Sequence, residues 1–101
     1  MNHLIKKNLP AIRDLCQAHQ VSALHAFGSV LRPDFGPNSD VDFLVVFDPP
    51  GEQGAFRQYF ELKEALEMLL DRNVDLVSAR SITNPFFMQQ VESTKQPVYA
   101  A

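Results

Sequence analysis

The sequence predicts an α/β protein, more finely α+β, with a small mixed β-sheet flanked by helices. Three observations carry this reading. Residues 41–47, VDFLVVF, lose polar alternation after Asp42, as a strand covered on both faces does. Residues 55–71 follow as an amphipathic helical run, and VDLVS at 74–78 then reads as another strand. A helix between two strands is a natural parallel crossover, whereas the connection from residue 28 to residue 40 suits antiparallel neighbours.

Each element follows from its own residues. Leu4, Ile5, Leu9, Ile12, Leu15 and Cys16 recur at helical spacing, with Lys6, Lys7, Arg13, Asp14 and Gln17 on the other side. Pro10 interrupts that pattern, so the helix is expected to begin near Asn8, with a looser turn before it. Residues 21–27 read as a short strand ended by Gly28-Ser29, and Val30-Leu31-Arg32 as about one helical turn stopped by Pro33. Residues 33–39, PDFGPNS, are turn-forming at nearly every position. Asp48-Pro49-Pro50-Gly51 closes the next strand. The inward stripe of the 55–71 helix is expected at Phe56, Tyr59, Phe60, Lys63, Leu66, Leu69 and Leu70. Asn84-Pro85 reads as an N-cap with proline at the first helical position, opening a helix to about Ser93. Phe86-Phe87-Met88 at its start is most simply core. Residues 96–99 add a short edge strand.

Bulk properties narrow the function. The 101 residues are read as one domain, 1–101, with 46% hydrophobic and 21% charged residues, which is ordinary globular composition. A net charge of −3 and no Lys/Arg run beyond Lys6-Lys7 argue against direct nucleic-acid binding, which relies on clustered cations. The single Cys16 permits no internal disulfide, and no apolar run is long enough for a signal peptide or a membrane span. A soluble cytoplasmic protein is expected. Cys16 is read as a small core residue, and His3, His19 and His25 share no ligand spacing.

Residues 28–42 concentrate the chemistry: Gly28-Ser29, ten residues, then Asp40-Val41-Asp42 running into the apolar strand. A small pair at a turn can present backbone N–H groups to phosphate, and paired carboxylates can hold Mg²⁺. The predicted topology brings Gly28-Ser29, Asp40, Asp42 and Asp75 to one end of the sheet. Strand alternation would put Asp40 and Asp42 on one face. Repelling carboxylates call for divalent cations, and a two-metal site is the usual arrangement for nucleotidyl transfer. These residues point to chemistry on a nucleoside triphosphate.

The pattern G28-S29-x10-D40-x-D42 with a later strand Asp75 resembles the DNA polymerase β-type nucleotidyltransferase superfamily, and its small size resembles the minimal nucleotidyltransferase branch. The resemblance covers roughly residues 8 to 99. It implies a nucleotidyltransferase fold, metal binding by Asp40, Asp42 and Asp75 as the catalytic residues, and triphosphate contact by Gly28 and Ser29. Many members continue Gly-Ser with small-Arg-Gly; Arg32 is kept here as a candidate nucleotide contact, followed by Pro33 instead of glycine. The branch implies transfer of AMP from ATP, with Mg²⁺, onto a tyrosine hydroxyl of a HEPN-domain toxin in a toxin–antitoxin module. Two alternatives stand beside it: a non-catalytic antitoxin that neutralises its partner by occlusion, and nucleotidyl transfer to a small molecule such as an aminoglycoside.

Overall fold

The computed structural model describes residues 2–33, 35–36, 38–48 and 55–101. Asn2 opens the chain by accepting the Leu4 N–H on its side chain, which starts helix α1, His3–Lys7. The looser turn expected there is therefore a short helix, and Asn8 separates it from α2, Leu9–Ala18, with proline in its first turn. Strand β1 spans Val21–Phe27 and runs into a single 3-10 turn, Gly28–Leu31. That turn starts two residues earlier than the sequence suggests. Strand β2, Val41–Phe47, helix α3, Ala55–Leu70, and strand β3, Val74–Ser78, follow in the expected order. Helix α4, Pro85–Thr94, is capped by Asn84, whose side chain accepts from Phe86 and Phe87 N–H, and strand β4, Gln96–Ala100, ends the sheet.

The sheet order is β3-β2-β1-β4. β1 pairs antiparallel with β2 and with β4, while β2 pairs parallel with β3, so the sheet is mixed as expected. β2 is interior to the sheet, which explains its unbroken apolar run. Its alternate residues face opposite layers. Val41, Phe43 and Val45 join Ile12, Cys16, Leu62, Leu66 and Leu76 in the main core under α2 and α3. Leu44 joins Phe27 and Val91 in a smaller cluster under α4. Full burial of a side chain such as Phe43 on one face or Leu44 on the other contributes about 1.5–3 kcal/mol, so both faces anchor the strand. Tyr59 also donates its hydroxyl hydrogen bond to the Leu76 carbonyl, tying α3 to β3.

Two expected faces need correction. On α3 the buried residues are Leu62, Leu66 and Leu70, with Tyr59 and Leu69 packed beside them, whereas Phe56 is 78% and Phe60 41% exposed. The i, i+4 series of leucines sets the inward stripe. Phe56 and Phe60 instead pair with each other outside it, ring centroids 4.6 Å apart. Lys63 bonds Glu67 at 3.2 Å rather than entering the core. On α4 the expected core segment Phe86-Phe87-Met88 is largely outside: Phe86 is 81% exposed and Phe87 37%, and Val91 is the residue that is buried. Among the described residues no helix is long and apolar enough to cross a membrane.

Candidate active site

The left-handed backbone at Gly28, φ +68°, turns the chain sharply out of β1. An L-residue adopts that conformation at a cost, and glycine adopts it freely. Space gives a second reason for glycine. A Cβ at this position would collide with Asp42 Oδ2 and stand 3.2 Å from Asp42 Cγ. The Asp42 carboxylate therefore lies directly against the Gly28 backbone, where Phe27 and Asp42 are partners across β1 and β2. A carboxylate and a bare backbone turn share one corner.

Strand pairing brings in the second carboxylate. Asp42 is the register partner of Asp75 across the parallel β2–β3 pair. Register partners in neighbouring strands lie on one face of the sheet, about 4.8 Å apart at the backbone. Here that face is the one α4 covers, because Leu44, two residues on from Asp42, packs against Val91 of α4. Asp42, Asp75, Gly28 and Arg32 all line one cleft of about 290 Å³, whose other wall is Phe27, Phe87, Gln90, Val91 and Thr94. Phe27 and Phe87 meet edge to face in that wall, centroids 6.0 Å apart. Beyond the carboxylates the cleft is lined by the apolar Phe27, Phe87 and Val91 and by the polar Gln90 and Thr94. Its volume is close to the lower end of ligand pockets, which run roughly 300–1,000 Å³.

Asp40 is placed differently. It precedes β2 instead of belonging to it, so strand alternation does not govern its direction. It is exposed and lines a separate, wider cavity of about 740 Å³ with Ser39, Glu67, Met68, Asp71 and Arg72. The structure thus brings Gly28, Arg32, Asp42 and Asp75 around one cleft, while Asp40, expected on the same face as Asp42, lines the other cavity. Among the described residues no three His, Cys, Asp or Glu side chains form a ready-made metal cage. Mg²⁺ rarely uses one. It is held by one or two carboxylates together with substrate phosphates and water. The facing pair Asp42 and Asp75, hard oxygen donors beside a turn that only glycine fits, suits that mode of binding. Of Ser29 only the backbone, within the 3-10 turn, is described, and its side chain lies outside the described structure.

Cys16 and His25 do not line this cleft. Cys16 is fully buried, and burial pushes its thiol up to about 12, so it stays protonated and serves as core. His25 is half-buried on β1, with Nδ1 unpartnered. Burial first, then the Lys95 charge, hold it below its ordinary value, against a partial opposing pull from Glu92. Gln90 is a wall residue that the sequence does not single out, and Phe87, expected in the core, stands in the wall instead.

Residues 11–101 match the family described as polymerase beta, nucleotidyltransferase. A candidate protein adenylyltransferase of Methanocaldococcus jannaschii, MJ1379, is 32% identical over 92 residues, covering 91% of this chain and 88% of that protein. The solved structure of a candidate minimal nucleotidyltransferase superposes with a TM-score of 0.78 at 34% identity, over 96% of each chain. A toxin–antitoxin crystallised with AMP-PNP gives 0.73 at 26% identity, over 93% of this chain and 74% of that one.

Proposed function

We propose that this chain, which belongs to the polymerase β-type nucleotidyltransferase family and to its minimal branch, acts as an antitoxin that transfers AMP from ATP to a tyrosine hydroxyl of a HEPN-type toxin. Its class, protein adenylyltransferase, follows from kinship. The single observation that carries the site is the register pairing of Asp42 with Asp75 on the face beside Gly28. ATP as donor is supported by the related toxin–antitoxin that holds AMP-PNP. A protein acceptor is supported by the relative's designation.

In this reading the backbone of the Gly28–Leu31 turn receives the triphosphate, and Arg32 at the cleft wall adds a cation toward it. Asp42 and Asp75, joined by Asp40, would hold Mg²⁺, which when bound offsets negative charge on the reacting phosphate and lowers the pKa of the attacking hydroxyl. The acceptor oxygen bonds to the α-phosphorus while the bond from that phosphorus to the β-bridging oxygen breaks. Pyrophosphate departs with the bonding pair. Asp75, exposed on the edge strand, takes the hydroxyl proton. The apolar wall of Phe27, Phe87 and Val91 limits water beside the reacting groups, which favours transfer over hydrolysis.

The test is Asp42→Asn, which keeps side-chain size and removes charge. Mass spectrometry of the toxin after incubation with ATP and Mg²⁺ should show added AMP on a tyrosine with the unmodified chain. The variant should lose at least about 100-fold in rate, yet still bind the toxin. If Asp42→Asn neutralises the toxin in cells as well as the unmodified chain does, occlusion is the mechanism and the enzymatic reading of the antitoxin role is wrong.

A further inference from the structure

We infer that Arg72 is a positioning residue for Asp40: from the turn after α3 it locks the loop leading into β2 and so fixes where that carboxylate stands. The inference rests on the adenylyl-transfer reading above. Asp40 lies outside the β-ladder, so no strand partner sets its backbone. Its two neighbours do so instead. Arg72 Nη1 donates to the Ser39 carbonyl at 3.2 Å and to the Gly36 carbonyl at 2.7 Å. On the other side, the Val41 N–H donates to the Asn73 carbonyl at 3.0 Å. Residues 39 and 41 are thus both fastened to residues 72–73, and Asp40 is held between them.

The clamp has a rigid base and a rigid jaw. The Arg72 guanidinium lies over the Phe35 ring, 4.7 Å from its centroid, so the loop is gripped through a face as well as through carbonyls. Inside the loop, Gly36 N–H donates to Ser39 Oγ and Ser39 N–H donates to the Gly36 carbonyl, both at 3.1 Å. At the base, Glu67 accepts the Val74 N–H at 3.0 Å and the Lys63 ammonium at 3.2 Å, which anchors the end of α3 to the start of β3. The planar guanidinium stacks on Phe35 while its Nη1 bridges two carbonyls; an ammonium is a compact point charge without a flat face and matches this geometry less well. Loss of a group that orients a metal-binding carboxylate from behind typically costs about 10–100-fold in metal affinity.

Two readouts decide the role, both on the full chain. The first is amide hydrogen exchange at Ser39 and Val41, and the second is Mn²⁺ binding in the presence of AMP-PNP. Arg72→Gln should speed exchange at both amides by about tenfold with Leu44 and Leu62 unchanged, and weaken Mn²⁺ binding by about 10–100-fold. Arg72→Lys should recover part of each loss, and Phe35→Leu, which keeps the hydrogen bonds, should shift both modestly in the same direction. In the transfer reaction kcat should fall while KM for the toxin stays fixed. If the variants fold and bind Mn²⁺ with AMP-PNP as tightly as the unmodified chain, Arg72 is structural only and the inference is overturned. Should Arg72→Gln fail to fold, the lysine and Phe35→Leu variants decide by the same measurements. If the unmodified chain transfers no AMP, the proposed function fails on its own, while exchange and Mn²⁺ binding still settle Arg72.

Discussion

Replacing Gly28 by alanine separates what the fold needs at this corner from what the chemistry needs. The backbone sits at φ +68°. For an L-residue that conformation costs roughly 1–2 kcal/mol. The added Cβ would also meet Asp42 Oδ2, with Asp42 Cγ at 3.2 Å and Cβ at 3.5 Å. Those atoms are the end of a side chain, so the carboxylate can rotate aside with little effect on the strand beneath it. Gly28→Ala should therefore lose roughly 1–2 kcal/mol in urea unfolding, a Tm fall of about 5–15 °C for a chain of this size. Transfer should suffer more. Displacing a reacting group by about 1 Å can cost a hundredfold in rate, and the carboxylate must move at least that far. Combining Gly28→Ala with Asp42→Ala isolates the two effects. The alanine should destabilise the Asp42→Ala background by the same amount, within about 0.5 kcal/mol, because the backbone cost remains when the collision is gone. If the double variant shows no such loss, the collision and not the left-handed turn explains the glycine. If Gly28→Ala alone retains both Tm and rate, the reasoning fails entirely.

Other outcomes follow from the same structure. Asp75→Asn should abolish AMP transfer to the toxin while leaving the urea midpoint close to that of the unmodified chain, since this side chain is exposed. Tyr59→Phe, which removes the hydrogen bond to the Leu76 carbonyl, should cost about 0.5–1.5 kcal/mol in urea unfolding with no change in ATP affinity. Acid should destabilise the chain in two stages followed by circular dichroism. His25 is held below its ordinary 6.5, so the unfolded chain takes up that proton first; stability is full above 6.5 and declines as pH falls from there toward the folded-state value. His25→Gln should flatten this stage. Glu67 is held below its ordinary 4.5, first by the Val74 N–H, so its contribution is present above 4.5 and is lost as pH falls through its folded value; Glu67→Gln should remove that second stage.

Much of the site could be read from local sequence because strand alternation and chain reversal are local rules. The apolar run after Asp42 announced an interior strand, and the amphipathic 55–71 segment announced the parallel crossover that aligns Asp75 with Asp42. Asp40 shows where the rule stops. Period-two reasoning holds only within a paired strand, and β2 begins one residue later. The residue before it is tied down by Arg72, through a contact that no sequence spacing announces. Helical spacing alone misplaces aromatics in two places. Phe56 and Phe60 share the spacing of the inward stripe and Phe86 opens an apolar helix start, yet the leucine series 62–66–70 and Val91 already fill the two layers. Packing space, not hydrophobicity, decided which apolar residues went inside.

The sheet order leaves β3 and β4 as its two outer strands. An outer strand offers unpaired backbone groups to any other strand it meets, and proteins blunt such rims with prolines, irregular pairing and charge. β4 carries Pro97, which has no N–H to donate, and its pairing with β1 slips between Leu24 and His25. On β3 the interrupting charge is Asp75. The carboxylate read as a reacting group is thus also the charge that interrupts that rim. Variants that neutralise Asp75 to silence the chemistry remove that charge as well, so a loss of transfer in them should be read beside a measurement of strand-to-strand association.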